Sequence, residues 1–130
     1  ANNPGLVVVE NKAVFLVPPP ITFTITWDDA FYDYDIYLVT GNQDFGGTVI
    51  GASAGITNFE SFSAVPPQGF SSFYIQDFWG DNASIPVELS VDIDGDVTIY
   101  NVIMDMSKWV LTIETSVDDE GNPVYDITEL

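Results

Sequence analysis

A chain of 130 residues with twenty carboxylates against two lysines, for a formal charge of -18, lacks the basic surface that nucleic acid or an anionic membrane requires. It contains no histidine and no cysteine, which removes Ser-His-Asp and Cys-His catalysis, imidazole or thiolate zinc centres and any disulfide. With 46% hydrophobic and 14% aromatic residues it is still a folding chain, sized for one domain that buries roughly two-thirds of its unfolded surface.

The amino terminus, ANNPG, has neither an initiator methionine nor a basic leader. It reads as a mature end left by signal-peptide removal, which predicts an extracellular or cell-surface protein. Residues 1–20 read as an arm with a proline-rich hinge, and residues 21–130 as the domain. In the arm, Leu6, Val7, Val8 and Val9, and then Ala13, Val14, Phe15, Leu16 and Val17, are apolar on both faces of any strand they form. Such a strand has to be covered on both faces. Two dispositions are open. The arm folds back into its own domain, as a central strand or a hairpin turning at Asn11-Lys12, or Gly5 to Val17 inserts into a neighbouring subunit with the prolines as a stiff hinge. No apolar run approaches the length of a membrane-spanning helix.

From Ile21 onward the dominant period is two. Ile21, Phe23, Ile25 and Trp27 share one face, and Thr22, Thr24 and Thr26 the other. The same rule sets Ile36 and Leu38 against Asp35, Tyr37 and Val39. It sets Ile85, Val87, Leu89, Val91 and Ile93 against Pro86, Glu88, Ser90 and Asp92, and Trp109, Leu111 and Ile113 against Val110, Thr112 and Glu114. Turn signals separate these runs: TGNQDFGG, PPQG, WGDN, DIDGD and DDEGNP. The pattern predicts an all-β antiparallel sandwich of jelly-roll or immunoglobulin-like kind, about nine strands preceded by the apolar arm.

Four aspartates, Asp28, Asp29, Asp33 and Asp35, crowd one turn, and like charges this close repel unless a cation or solvation offsets them. Ca2+ is the ion such oxygen ligands would hold, although no cofactor is required by anything else in the chain. Asp92, Asp94 and Asp96 around Gly95 have the alternation of a calcium loop but lack the glutamate that completes an EF-hand. A solvated hairpin turn at Asp94-Gly95 is the plainer reading. Phe59, Phe62, Phe70, Phe73, Tyr74, Phe78 and Trp79 could stack on sugars, but most sit at strand spacing and are expected in the core, Trp79 in its turn being the one expected to be exposed. Asn82 in NAS fits a glycosylation acceptor. Asp33 and Asp35 as a hydrolytic carboxylate pair lack an Asp-Thr-Gly or Asp-Ser-Gly setting, so no enzyme is expected.

The stretch WDDAFYDYDIYLV resembles the strand signature of bacterial pre-peptidase C-terminal domains, in which a tryptophan precedes an Asp-x-Asp-x-Tyr-Leu strand. The matching positions are Trp27, Asp33, Asp35, Tyr37 and Leu38. The run from Asn58 to Val91 is similar to that family's glutamate-bearing strand, glycine turn, Tyr-x-Ile strand and final strand, so the resemblance covers Ile21 to Val91. It implies a secreted β-sandwich that accompanies other functions, binding matrix or carbohydrate in some relatives and stabilised by calcium in some. The apolar arm before the match and the meander from Val97 to Leu130 after it depart from the family. The layout of arm, proline hinge and sandwich is analogous to strand-exchanging pilins. The expectation is therefore a non-enzymatic extracellular subunit that polymerises with itself into a filament by donating Gly5 to Val17. The alternative is a secreted accessory module that binds glycan or matrix.

Overall fold

The computed structural model describes residues 18–29, 31–55, 57–80 and 83–130. Nine strands follow in chain order: β1 (Ile21–Thr26), β2 (Tyr34–Thr40), β3 (Val49–Ser53), β4 (Phe59–Ala64), β5 (Gly69–Asp77), β6 (Ile85–Ile93), β7 (Asp96–Met104), β8 (Lys108–Val117) and β9 (Pro123–Glu129). They form a four-stranded sheet, β4-β1-β6-β7, and a five-stranded sheet, β3-β2-β5-β8-β9, in which every pairing is antiparallel. The all-β sandwich expected from the period-two pattern is present. Among the described residues no helix is long and apolar enough to cross a membrane.

The core is the meeting of the two inner faces. Ile21, Phe23 and Ile25 of β1 and Leu89 of β6 are fully buried against Ile36, Leu38, Phe73, Ile75, Leu111 and Ile113 of the facing sheet. Phe23 stacks on Phe73 with ring centroids 4.8 Å apart, and Phe62 packs on Phe23 at 5.3 Å, so one aromatic column bridges the layers. On the outer face of β1, Thr22 and Thr24 pair their hydroxyls with Ser63 and Ser61 of β4, at 2.6 and 2.9 Å.

Two expectations are corrected. Trp109 does not join Leu111 and Ile113 in the core. A bulge sets Leu111 opposite Phe73 but Trp109 opposite Tyr74, leaving Val110 as the extra residue, so the side-chain parity of β8 inverts. Val110 is consequently buried and Trp109 stands on the outer face. The seven aromatics do not mostly fill the core either. Phe73 is buried, Phe62 and Tyr74 are half-buried, and Phe59, Phe70, Phe78 and Trp79 are exposed. Phe59 pairs with Thr26 and Phe70 with Glu114, both on outward faces, and Phe78 and Trp79 lie beyond the end of β5.

The two lateral sides of the sandwich differ. On one side β3 and β4 touch across the sheets. Gly51 of β3 lies so close to Phe62 of β4 that a Cβ there would come within 2.3 Å of the ring. On the other side β7 and β9 are the last strands of their sheets, and each keeps an unpaired outer edge among the described residues.

Candidate functional site

The turn between β1 and β2 is pinned by its tryptophan. The Trp27 indole N–H donates to the Tyr32 carbonyl at 2.9 Å and its ring meets Tyr34 edge-on at 5.0 Å, while the Asn58 amide donates to the Trp27 carbonyl at 2.8 Å. That geometry divides the four aspartates. Asp28 and Asp29 face solvent, and the Asp29 carboxylate accepts the Phe31 N–H at 2.9 Å, closing the turn as an Asx motif. Asp33 and Asp35 are instead buried, 7% and 4% exposed.

Asp35 lies on the outward parity of β2, yet it is covered. β3 stops at Ser53, and beyond its end the Gly55 N–H donates to the Asp35 carboxylate while Glu60 closes over it from β4. Glu60 is 3% exposed, and one carboxylate oxygen from each of Asp33, Asp35 and Glu60 lies within 4.8 Å of the others. Ser53 donates its hydroxyl to Glu60 Oε1 at 2.5 Å. Asp33 Oδ1, Asp35 Oδ1 and Glu60 Oε2 have no hydrogen-bond partner among the described residues. Burial pushes the Asp35 carboxyl up to about 6, the charges of Asp33 and Glu60 adding to it and the Gly55 N–H opposing. Burial raises Asp33 as well.

Glu60 was not among the residues the sequence singled out. Its signal was parity: Glu60, Phe62 and Ala64 form the inward set of β4, opposite Ile25, Phe23 and Ile21, and a glutamate on an apolar face calls for a partner. Asp92, Asp94 and Asp96 take no part in this cluster. They sit at the opposite end of the sandwich in the β6–β7 hairpin, where Asp94 and Gly95 both have positive φ, 54° and 87°, and Asp92 accepts the Gly95 N–H at 2.9 Å.

On the outer face of the five-stranded sheet, the inverted parity of β8 assembles a second feature. Phe45, Tyr74 and Trp109 form an aromatic cluster with centroid separations of 4.8 to 5.2 Å. They line a groove of about 330 Å³ with Tyr37, Val39, Val49 and Gln76, and the Tyr37 hydroxyl donates to Gln76 Oε1 at 3.1 Å. The outward placing of half-buried Trp109 has no local signal in the sequence, because the bulge that turns it has no composition of its own.

The third feature is where the domain begins. Pro18 and Pro19 are half-buried, and the Tyr125 hydroxyl of β9 donates to the Pro19 carbonyl at 2.7 Å, so the chain reaches β1 from the β9 side. A notch of about 160 Å³ lies between Asn101–Ile103 of β7, Lys108–Val110 of β8 and Glu129–Leu130. The proposed arm, Gly5 to Val17, and the glycosylation candidate Asn82 lie outside the described residues. No protein-family model, no curated protein and no solved structure matches the chain.

Proposed function

We propose that the protein is a non-enzymatic, extracellular structural subunit that polymerises by laying residues 5–17 along the open side of a neighbouring sandwich. The observation that carries this reading is the Tyr125–Pro19 hydrogen bond. It fixes the proline hinge beside β9, the last strand of its sheet, on the side of the sandwich that β3 and β4 do not close. Thirteen extended residues span about 43 Å, enough to run the length of any edge strand here. Val97, Ile99 and Ile103 on the outer face of β7 are exposed apolar side chains beside that edge, and main-chain hydrogen bonds would supply further affinity. Donation of an arm from one subunit to the next is heterologous, and where the rotation between subunits does not close it generates an open filament.

The test compares the full chain with one starting at Pro18, by light scattering and negative-stain electron microscopy. The full chain is expected to form filaments, the shortened chain to be a folded monomer, and a peptide of residues 1–17 to bind the shortened chain. Compact monomers in both cases overturn the reading. A second reading then takes its place, a secreted module that binds glycan or matrix through the Phe45, Tyr74 and Trp109 groove, in keeping with the pre-peptidase C-terminal resemblance.

A further inference from the structure

We propose that Asp33, Asp35 and Glu60 hold one calcium ion that fastens β4 of one sheet to β2 of the other. Proximity of acids alone does not mark a site, since the chain has twenty of them and most face water. These three are each more than nine-tenths buried, each keeps one oxygen without a hydrogen-bond partner among the described residues, and one carboxylate oxygen from each comes within 4.8 Å of the others. A buried carboxylate oxygen without a donor is strongly disfavoured, and three together are relieved either by taking up a proton or, where they stay ionised, by a cation between them. No cationic side chain described in the structure lies there: Lys108 is tied to Asp105 at 2.9 Å and donates to the Ile103 carbonyl.

The donor set selects the ion. All three ligands are hard carboxylate oxygens, and the cluster contains no imidazole, thiolate or thioether of the kind a borderline or soft metal favours. Ca2+ takes oxygens at about 2.4 Å, so two ligands on opposite sides of it stand about 4.8 Å apart, and the three oxygens are no further apart than that. Mg2+ keeps most of its waters and uses one or two carboxylates, which suits a dry three-carboxylate site poorly. Gly55 adds a steric condition: a Cβ there would stand 3.2 Å from Glu60 Oε2, so the wall beside the carboxylates is bare backbone.

The ion would have a definite mechanical effect. It would join the β1–β2 turn to the edge strand β4 and so hold closed the side of the sandwich where Gly51 meets Phe62, independently of what covers the opposite side.

The experiment is a calorimetric titration of the full chain with calcium in excess magnesium, and thermal melts in chelator and in calcium. Wild type, Asp35→Asn, Glu60→Gln and the hairpin control Asp94→Asn are compared. One calcium site per chain is expected, retained in Asp94→Asn and weakened at least about tenfold in the other two. The melts are expected to cross. Neutralising a buried acid raises the melting temperature above wild type in chelator, where it removes repulsion, and lowers it below wild type in calcium, where it removes a ligand. Parallel shifts in all four proteins, or only weak sites that magnesium displaces, overturn the proposal. Should Glu60→Gln fail to fold, the wild-type titration in magnesium decides alone by the same criterion.

Discussion

At the scale of single residues, Asp35 makes the metal-free protein pH-dependent, and the sign follows from its surroundings. Its folded-state carboxyl is raised from 3.8 to about 6, so between those values the folded chain holds a proton that the unfolded chain has released. Stability contributed by this group is therefore highest at acid pH and falls as pH rises from about 4 to about 6. In chelator the protein is expected to melt at a higher temperature near the acid end of that window than at neutral pH. Lowering pH also relieves the general repulsion of a chain with charge -18, so the slope alone does not isolate Asp35. Asp35→Asn does: the amide keeps an acceptor for the Gly55 N–H, removes the titration, and is expected to flatten the melting curve across the window. A slope equal to wild type would show that Asp35 is not ionising in the folded state as its burial requires. The aspartates were conspicuous in the sequence as four charges in one turn, but their division was not legible. Asp29 is used up by the Phe31 N–H within the turn itself, whereas Asp35 is covered by Gly55 and Glu60, which depends on where β3 stops rather than on the motif.

At the scale of elements, the contact of β3 with β4 decides which side of the sandwich is closed. Gly51 faces the Phe62 ring and the Ala64 methyl, and an added Cβ would lie 2.3 Å from the ring and 3.3 Å from Ala64. The Phe62 ring is packed on Phe23 and Phe73 and would have to shift, so Gly51→Ala is expected to cost about 1–3 kcal/mol by overpacking. Denaturant melts measure it. A Gly51→Ala, Phe62→Leu double variant is expected to recover part of the loss relative to the sum of the two single changes. Additive losses would mean the two residues do not meet. The strands themselves were legible wherever alternation was strict: β1 and β6 keep one inward set throughout, as Ile21, Phe23, Ile25 and Val87, Leu89, Val91 show. Where one residue intrudes, as Val110 does in β8, alternation predicts the wrong face for everything on the far side. Trp109, Tyr74 and Phe45 then make a surface groove that no local pattern announces. Pairing across sheets was likewise invisible, since Ser53 and Glu60 meet through the order of strands and not through spacing.

At the scale of the whole molecule, self-repulsion governs how the protein responds to salt. The formal charge is -18, and Lys108, the one cationic side chain among the described residues, already pairs with Asp105 at the surface, where such a contact contributes little. Repulsion between exposed charges is screened over about 10 Å at 0.1 M salt and about 3 Å at 1 M, so the melting temperature is expected to climb with sodium chloride and level off near molar salt. Part of the repulsion has an address. Glu114 of β8 stands directly opposite Asp126 of β9, both exposed, and like charges in that cross-strand relation oppose pairing. Glu114→Lys converts the pair to an attraction and is expected to stabilise the protein by about 0.5–1 kcal/mol at low salt. The gain should shrink as salt rises, because the interaction it creates is screened along with the one it removes. A gain that persists unchanged in molar salt would trace to packing of the lysine stem instead. Under the proposed polymerisation the same substitution would bear on assembly, since β9 carries the Tyr125 anchor of Pro19 and β8 supports it. If acidic subunits are held apart mainly by charge, Glu114→Lys filaments form at lower salt than wild type, which turbidity against sodium chloride would read; an identical threshold would place the barrier to assembly in the arm and not in the field around it.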